Sequence, residues 1–323
     1  MFAKEITGPE TVPQVTVIIP ARNALAWLPD AIASIGPGPS VEIIVTDDGS
    51  DDGTAEYLAG LAARDPRLVV MAGPRKGPSP ARNVALERVR APLVAFLDAD
   101  DRWCPGKLAT QLALHAAHPE IGFSFTDYRH LTPESEDRGT CFAFWPSFSA
   151  RNARRTEAFL LPDAFAHIYG ENVVGTSTVI ARTDLLREVG GFRTSLGSAE
   201  DWDLWLKLAS RAPVGCVPRV LCDYLMQRSG SVSKNTGRRA AAMRAVAGAY
   251  RPRLVEKEPW AVGACESRLL VAEAEAREGN SLLSALWFRL LALTLTPSLR
   301  NAREAAHVVA TSIPGTGGTS RRR

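Results

Sequence analysis

The first hundred residues alternate between two kinds of segment, and that alternation constrains the fold more than any other feature of the chain. Four apolar runs recur: "VTVIIP" (Val15–Pro20), "VEIIVTD", "RLVVMAG" and "PLVAFLDADD". Continuous β-branched runs of this length suit strands buried on both faces. Between them lie three helical segments. In "LAWLPDAIASI" the residues Leu25, Leu28, Ile32 and Ile35 keep helical spacing; "AEYLAGLAA" and "SPARNVALERVR" follow, the last with Pro80 near its first turn. Strand–helix–strand repetition implies right-handed crossovers and a parallel sheet. The predicted class is therefore α/β, with a mostly parallel central sheet flanked by helices. Ligands bind such sheets at the carboxyl ends of the strands. That rule sets Asp47, Asp48 and Asp98–Asp101 on one rim.

Beyond residue 104 the pattern mixes. A helix follows "PGK", then "IGFSFTDY" alternates with period two, and residues 132–160 are aromatic and irregular, as expected of a loop region over the site. "GTSTVIARTDLLREVGGF" restores strand and helix. "SAEDWDLWLKLASRA" reads as a helix with Trp202, Trp205, Leu206 and Ala209 on one face. After Val232 the composition shifts to Ala, Arg, Leu and Glu. The expected division is a main domain over 1–237, a helical appendage over 238–312 and a disordered tail over 313–323.

Bulk properties exclude several function classes. With 46% hydrophobic and 23% charged residues over 323 positions, a sizeable core can form. A net charge of +3 is too small to argue for nucleic acid. The basic clusters Arg151/Arg154/Arg155, Arg238/Arg239 and Arg321–Arg323 read as solvated faces. Five scattered cysteines without a C-x-x-C pair argue against zinc or a disulfide framework and fit a reducing compartment. The N-terminal "MFAKEITGPETVPQ" lacks the apolar core of a signal peptide. The stretch Leu282–Leu295 is interrupted by Arg289 and too short to span a bilayer. The expectation is a cytoplasmic protein, at most in peripheral contact with the inner face of the membrane through its C-terminal helices. A core helix of a small bundle is the favoured reading of that stretch over a membrane-surface one.

No G-x-x-x-x-G-K-[ST] is present, and the first strand–helix turn, "IPARNALAWLP", holds no glycine, so neither the P-loop nor the dinucleotide fingerprint applies. "DDGSDDGT" begins like an EF-hand loop, but position twelve is Ala59 where a bidentate Glu is required. By itself it is a polar turn. Asp98-Ala99-Asp100 brings two carboxylates to one side of an extended segment, a donor pair for Mg²⁺ or Mn²⁺; taken alone it reads as a turn cap. Asp101 reads as a cap or solvated turn residue. "GSAEDWDLW" taken alone reads as a capping box from Ser198 to Asp201.

In this order and spacing, "VTVIIPARN", "EIIVTDDGSDDGT", "GPSPARNVAL", "PLVAFLDADDRWCPGKL", "GTSTVIARTDLLREVGGF" and "AEDWDLWLKLA" resemble family 2 glycosyltransferases of the GT-A fold, over about residues 14–233. The resemblance implies roles. Pro20, Arg22 and Asn23 line the nucleobase pocket, with Arg22 covering the base and Asp48 on the base edge. Arg82 offsets phosphate charge. Asp98 faces the ribose or metal shell, and Asp100 is the direct metal ligand. Asp201 is the catalytic base, with Glu200 on the acceptor side. Relatives carry a Tyr-Arg-x-His stretch over the diphosphate; "DYLMQRSGSVS" has no histidine, leaving Gln227 or the cation Arg228 as substitutes. The Q-x-x-R-W of processive synthases is absent.

The implied activity is non-processive, inverting transfer of a hexosyl or related sugar, in surface glycan or glycoconjugate biosynthesis. It would use a divalent cation (Mn²⁺ or Mg²⁺), a nucleotide-sugar donor with UDP-sugars favoured, and a glycan, lipid-linked or small-molecule acceptor. The alternative is an inactive nucleotide-sugar-binding scaffold or regulatory protein. A nucleotidyltransferase would show a Gly-rich loop after the first strand.

Overall fold

The apolar runs become adjacent strands. In a computed structural model that describes residues 12–37, 40–226, 235–278, 281–295 and positions 302, 305 and 306, four parallel strands begin the sheet. They are β1 (Val15–Ala21), β2 (Val41–Asp47), β3 (Leu68–Ala72) and β4 (Leu93–Phe96), in the order β3-β2-β1-β4. The crossovers are α1 (Leu28–Ser34), α2 (Thr54–Ala62) and α3 (Pro78–Arg88). Val15, Val17, Ile19, Ile43 and Val45 are buried in one cluster with Leu28, Ile32 and Leu58. Each such side chain contributes about 1.5–3 kcal/mol on burial. Leu25 falls in a turn rather than in α1, because Ala24 O accepts from Trp27 N and Leu28 N while the Leu25 N–H goes to Asp52.

The remaining elements are β5 (Arg102–Trp103), α4 (Lys107–Ala117), β6 (Phe123–Leu131), β7 (Asp137–Thr140), α5 (Cys141–Phe144), α6 (Pro146–Asn152) and β8 (Phe159–Leu160). Then come α7 (Ala164–Glu171), a 3₁₀ turn at Thr176–Thr178, β9 (Ile180–Arg182), α8 (Thr183–Glu188), α9 (Glu200–Ala209) and β10 (Val214–Leu225). The sheet runs β3-β2-β1-β4-β9-β6-β10-β5. It is a mixed sheet in which β1–β4, β6 and β10 all run the same way. β9 is antiparallel to both β4 and β6, and β10 is parallel to β6. Two reversals restore direction, so β6 and β10 run with β1–β4 and end on the same rim. The segment expected to be irregular, 132–160, holds the short elements β7, α5, α6 and β8.

The chain divides into two compact units. One takes the described residues up to 165, 173–195 and 203–226. The other gathers 166–172, 196–202 and the described residues from 235 on. The latter contains α10 (Thr236–Tyr250), α11 (Pro259–Arg277) and α12 (Leu282–Leu295), with α11 packed on both of the others. Arg289, which interrupts the apolar run, is buried and paired with Glu278. Trp287 and Leu283 of the same helix are exposed. Among the described residues no helix is long and apolar enough to cross a membrane.

Candidate active site

The rim of the first unit begins with two loops zipped together by side chain to backbone bonds. Asn23, in the left-handed region at φ +48°, accepts from Asp51 N at 2.9 Å and its own N–H bonds Ser50 Oγ at 2.9 Å. Asp52 accepts from Leu25 N and Thr54 N, each at 3.0 Å. The "DDGSDDGT" loop is therefore a built corner that fixes the end of β1, which explains its acidity without a calcium ion. Pro20 is half-buried in β1 and Arg22 is exposed.

Asp48 is buried, and both of its oxygens are engaged. Oδ1 accepts from Arg75 N at 2.6 Å and Lys76 N at 3.3 Å; Oδ2 accepts from Gly77 N at 2.7 Å. These amides precede α3, whose N-cap Gly77 has φ +94°. A carboxylate holding several N–H groups is a strong local organiser. Asp48 thus anchors the loop between β3 and α3 to the end of β2. Gly73 permits this, since a Cβ there would lie 2.7 Å from Asp48 Oδ1.

From α3, the buried Arg82 reaches Asp98 in a short ion pair, and its guanidinium lies 5.1 Å from the Phe192 ring centroid. Phe192 is itself positioned from α3: Asn83 Nδ2 donates to Phe192 O at 2.8 Å and Phe192 N donates back to Asn83 Oδ1 at 2.9 Å. A Cβ on Gly191, at φ +63°, would come 2.7 Å from that same Oδ1. The "ARN" and "GGF" segments are thus one device that aims an arginine at the D-x-D.

Asp101 departs from the cap or solvated role expected of it. It is buried; its carboxylate accepts from the Ser177 hydroxyl and from Leu225 N at 3.1 Å. Ser177 Oγ in turn accepts from Asp98 N at 3.0 Å, and Ser177 O accepts from Trp103 Nε1 at 2.7 Å. The acidic turn, the 3₁₀ turn and the end of β10 are tied through this one carboxylate. Burial, then the charges of Asp100 and Asp98, push the Asp101 carboxyl well above the usual range, against its bonds to Ser177 and Leu225. Asp100 lines a polar cleft of about 150 Å³ with Trp27, Asp30, Arg102, Thr132 and Asp223.

Three carboxylates in each other's field, with Arg82 on Asp98, form a negative turn. Among the described residues no group of three or more metal-ligating side chains converges. The donor set still fits Mg²⁺ or Mn²⁺, which take one or two protein carboxylates and complete their shell with phosphate oxygens and water. Asp100 and the free face of the Asp98 carboxylate would hold it; Asp101, occupied by Ser177 and Leu225, would not.

Glu200 and Asp201 open α9 within the second unit. Asp201 is half-buried and accepts from Trp202 N at 2.7 Å. The preceding residue, Ala199, sits at φ +56°, a conformation that disfavours any Cβ and that recurs at functional sites. Trp202 is buried, with Nε1 bonded to Ile168 O at 2.7 Å. Gln227 and Arg228, expected at the diphosphate, lie outside the described residues.

Comparison with known proteins gives this rim its family. The model of Glycosyl transferase family 2 matches residues 16–171, the stretch that holds Asp48, Arg82, Asp98 and Asp100. The chain carries a family 2 glycosyltransferase domain. An uncharacterized protein of Mycobacterium tuberculosis is 32% identical over 212 residues, which are 65% of this chain and 66% of that protein. TuaG of Bacillus subtilis, whose name assigns it to teichuronic acid biosynthesis as a glycosyltransferase, is 40% identical over 119 residues, 36% of this chain and 47% of its own. The chain spans 66% and 47% of the lengths of these two relatives.

Solved structures share the fold. S. aureus TarS 1–349, in complex with UDP-GlcNAc, superposes with a TM-score of 0.62 at 19% identity, over 92% of this chain and 80% of that one. The mannosyltransferase PcManGT of Pyrobaculum calidifontis, in complex with GDP-Man and Mn²⁺, gives 0.56 at 23% identity, over 94% and 87%. Both place the transferase domain in the GT-A class. Phe192, Ser177 and the buried role of Asp101 escaped the sequence. The "GGF" and "GTST" strings were visible there, but not their pairing with "ARN" and the acidic turn.

Proposed function

We propose that the protein transfers a sugar from a nucleotide-diphosphate donor to an acceptor hydroxyl by single displacement, with inversion. The observation that carries this reading is the aimed pair Arg82–Asp98 beside Asp100, on the rim where an α/β sheet binds its ligand. In it, Arg82 offsets phosphate charge, and Asp98 and Asp100 hold a divalent cation, Mn²⁺ or Mg²⁺. Such a cation, when bound, supplies Lewis-acid neutralisation of the departing diphosphate. Asp48 shapes the base pocket through the loop it anchors, with Pro20, Arg22 and Asn23 on the adjoining corner. Asp201 takes the proton of the acceptor hydroxyl, a contribution of about 10²–10⁴-fold, and Glu200 shapes the acceptor side.

The complexes of TarS with UDP-GlcNAc and of PcManGT with GDP-Man and Mn²⁺ support a nucleotide-sugar donor and a cation. The name of TuaG supports a product in surface polysaccharide. The test is a screen of nucleotide sugars for Mn²⁺-dependent binding and slow hydrolysis, with chelator as control. Asp201→Asn is expected to keep Mn²⁺-dependent donor binding and lose at least about 100-fold in transfer; full transfer by that variant removes Asp201 as the base. A product of retained anomeric configuration refutes single displacement.

A further inference from the structure

The aromatic residues of 128–145 and 224 are not absorbed by the donor site. Phe125, Phe142 and Phe148 pack on one another, with ring centroids 4.7–6.5 Å apart, and account for part of the set as core. A second cluster turns inward only in part, through Tyr128, which packs against the core. Tyr128 and His130 lie 5.0 Å apart at the end of β6, and Tyr224 of β10 lies 5.8 Å from each. The Phe144 ring of α5 is 6.2 Å from His130. Phe144 is 43% exposed and Tyr224 36% exposed, so the cluster presents ring surface to solvent at the ends of two strands.

Two connections tie this cluster to the acidic turn. Leu225, next to Tyr224, donates its N–H to Asp101. Tyr128 lies against Gly175, where an added Cβ would come within 2.8 Å of its ring, and Gly175 leads into the turn of Ser177, bonded to Asp98 N. The rings are neither aliphatic nor dry. Two phenols and an imidazole supply polar edges, and the Arg129–Asp223 ion pair at 2.7 Å lies on the same two strands. A flat ring face with hydrogen-bonding edges matches a pyranose, which offers an apolar C–H face and a rim of hydroxyls. A lipid surface would favour aliphatic lining with cations above it.

We propose that Tyr128, His130, Tyr224 and Phe144 form a stacking platform for a sugar ring of the acceptor, so that the acceptor is a saccharide or glycoconjugate. This inference rests on the transferase reading above. The test uses the full chain, Mn²⁺, a UDP-sugar donor, and the methyl β-glycosides of glucose, galactose and N-acetylglucosamine as acceptor probes. UDP release is followed with and without glycoside, and UDP–Mn²⁺ affinity is measured by calorimetry. At least one glycoside should accelerate UDP release in the wild type. Phe144→Ala and Tyr224→Ala should each raise its KM about three- to tenfold, the loss of one ring stack, with UDP–Mn²⁺ affinity held within about twofold. Tyr224→Phe, which keeps the ring face, should recover most of the loss in KM.

An unchanged KM in both alanine variants, or no stimulation by any of the glycosides, overturns the platform. So does a loss of UDP affinity, which would assign the rings to the donor. Flotation of the wild type on liposomes of anionic lipid that both alanine variants abolish would assign them to a membrane instead. A wild type that binds neither UDP nor GDP with Mn²⁺ fails the transferase reading itself, and is seen before any variant is made.

Discussion

Lys107 opens α4 at the foot of the acidic turn, and replacing it with methionine should stabilise the protein in a pH-dependent way. Its side chain is 1% exposed, and among the described residues no hydrogen bond reaches Nζ. The ammonium lies 4.0 Å from the centroid of the Trp103 ring. Burial lowers its pKa from 10.5 to about 7, and the neighbouring Cys222 opposes that only in part. A fall of that size corresponds to about 5 kcal/mol against the charged form. The ring face offsets part of the cost of burying the charge.

Because the folded pKa lies below the unfolded one, the unfolded chain binds more protons between pH 7 and 10.5. Wild-type stability therefore carries the full penalty below about pH 7 and regains it as pH rises toward 10.5. Asp101 works in the opposite direction. Its raised pKa makes stability fall as pH climbs through it, but it is present in both proteins and cancels in the difference. Urea midpoints of wild type and Lys107→Met at pH 6, 7, 8 and 9 test the argument. The variant should lead by up to about 5 kcal/mol at pH 6, with the gap closing steadily above pH 7. A gap independent of pH, or a variant less stable at pH 6, refutes it.

Asp48→Ala strips the acceptor from three amides of the loop before α3 and should cost about 2 kcal/mol, read as a lower urea midpoint, together with weaker nucleotide binding by calorimetry. Gly73→Ala should reproduce that phenotype with the carboxylate still present, since its Cβ would lie 2.7 Å from Asp48 Oδ1 and 2.9 Å from Asp48 Cα, a backbone atom with little room to move. Arg82→Met leaves Asp98 without its cation and should weaken UDP–Mn²⁺ binding at least about tenfold. Arg82→Lys should recover only part of it, because the planar group that stacks on Phe192 is lost.

The parallel half of the fold was legible because each strand is buried on both faces, so its sequence is a continuous apolar run that names both its state and its neighbours' polarity. The antiparallel strand β9 was legible as a strand but not in its direction. "VIAR" looks the same whichever way it runs, and only its two antiparallel pairings return β6 and β10 to the rim. At the site, local patterns gave residue types and order. The order could not say that Asp48 spends both oxygens on backbone, or that Asp101 is buried beneath its two neighbours. Both facts arise from segments 27 to 124 positions apart in the chain. Asp101 reads as a cap or solvated turn residue until the hydroxyl of Ser177 and the N–H of Leu225 are brought to it.

The surroundings of the candidate base follow the same logic in the second unit. Trp202, one residue past Asp201, is held from three directions, all within that unit. Its indole donates to Ile168 O, its ring lies 6.0 Å from Tyr169, and the Arg268 guanidinium of α11 lies 4.6 Å from its ring. Arg268 also donates to Tyr169 O at 3.1 Å and Gly170 O at 3.3 Å, and the Tyr169 hydroxyl reaches Ala247 O of α10 at 3.2 Å. Gly170 has no room for a Cβ without pressing on the backbone of Ala261 at 3.2 Å. The Ala- and Arg-rich composition after residue 232 reads in the sequence as an add-on. In the structure those helices supply the packing of residues 166–172 and 196–202, the segments that carry Glu200 and Asp201. A general base must keep its position within a fraction of an ångström. The packing around the first turn of α9 thus comes from side chains more than 40 positions downstream, among them Arg268 on the Trp202 ring and on the Tyr169 and Gly170 carbonyls.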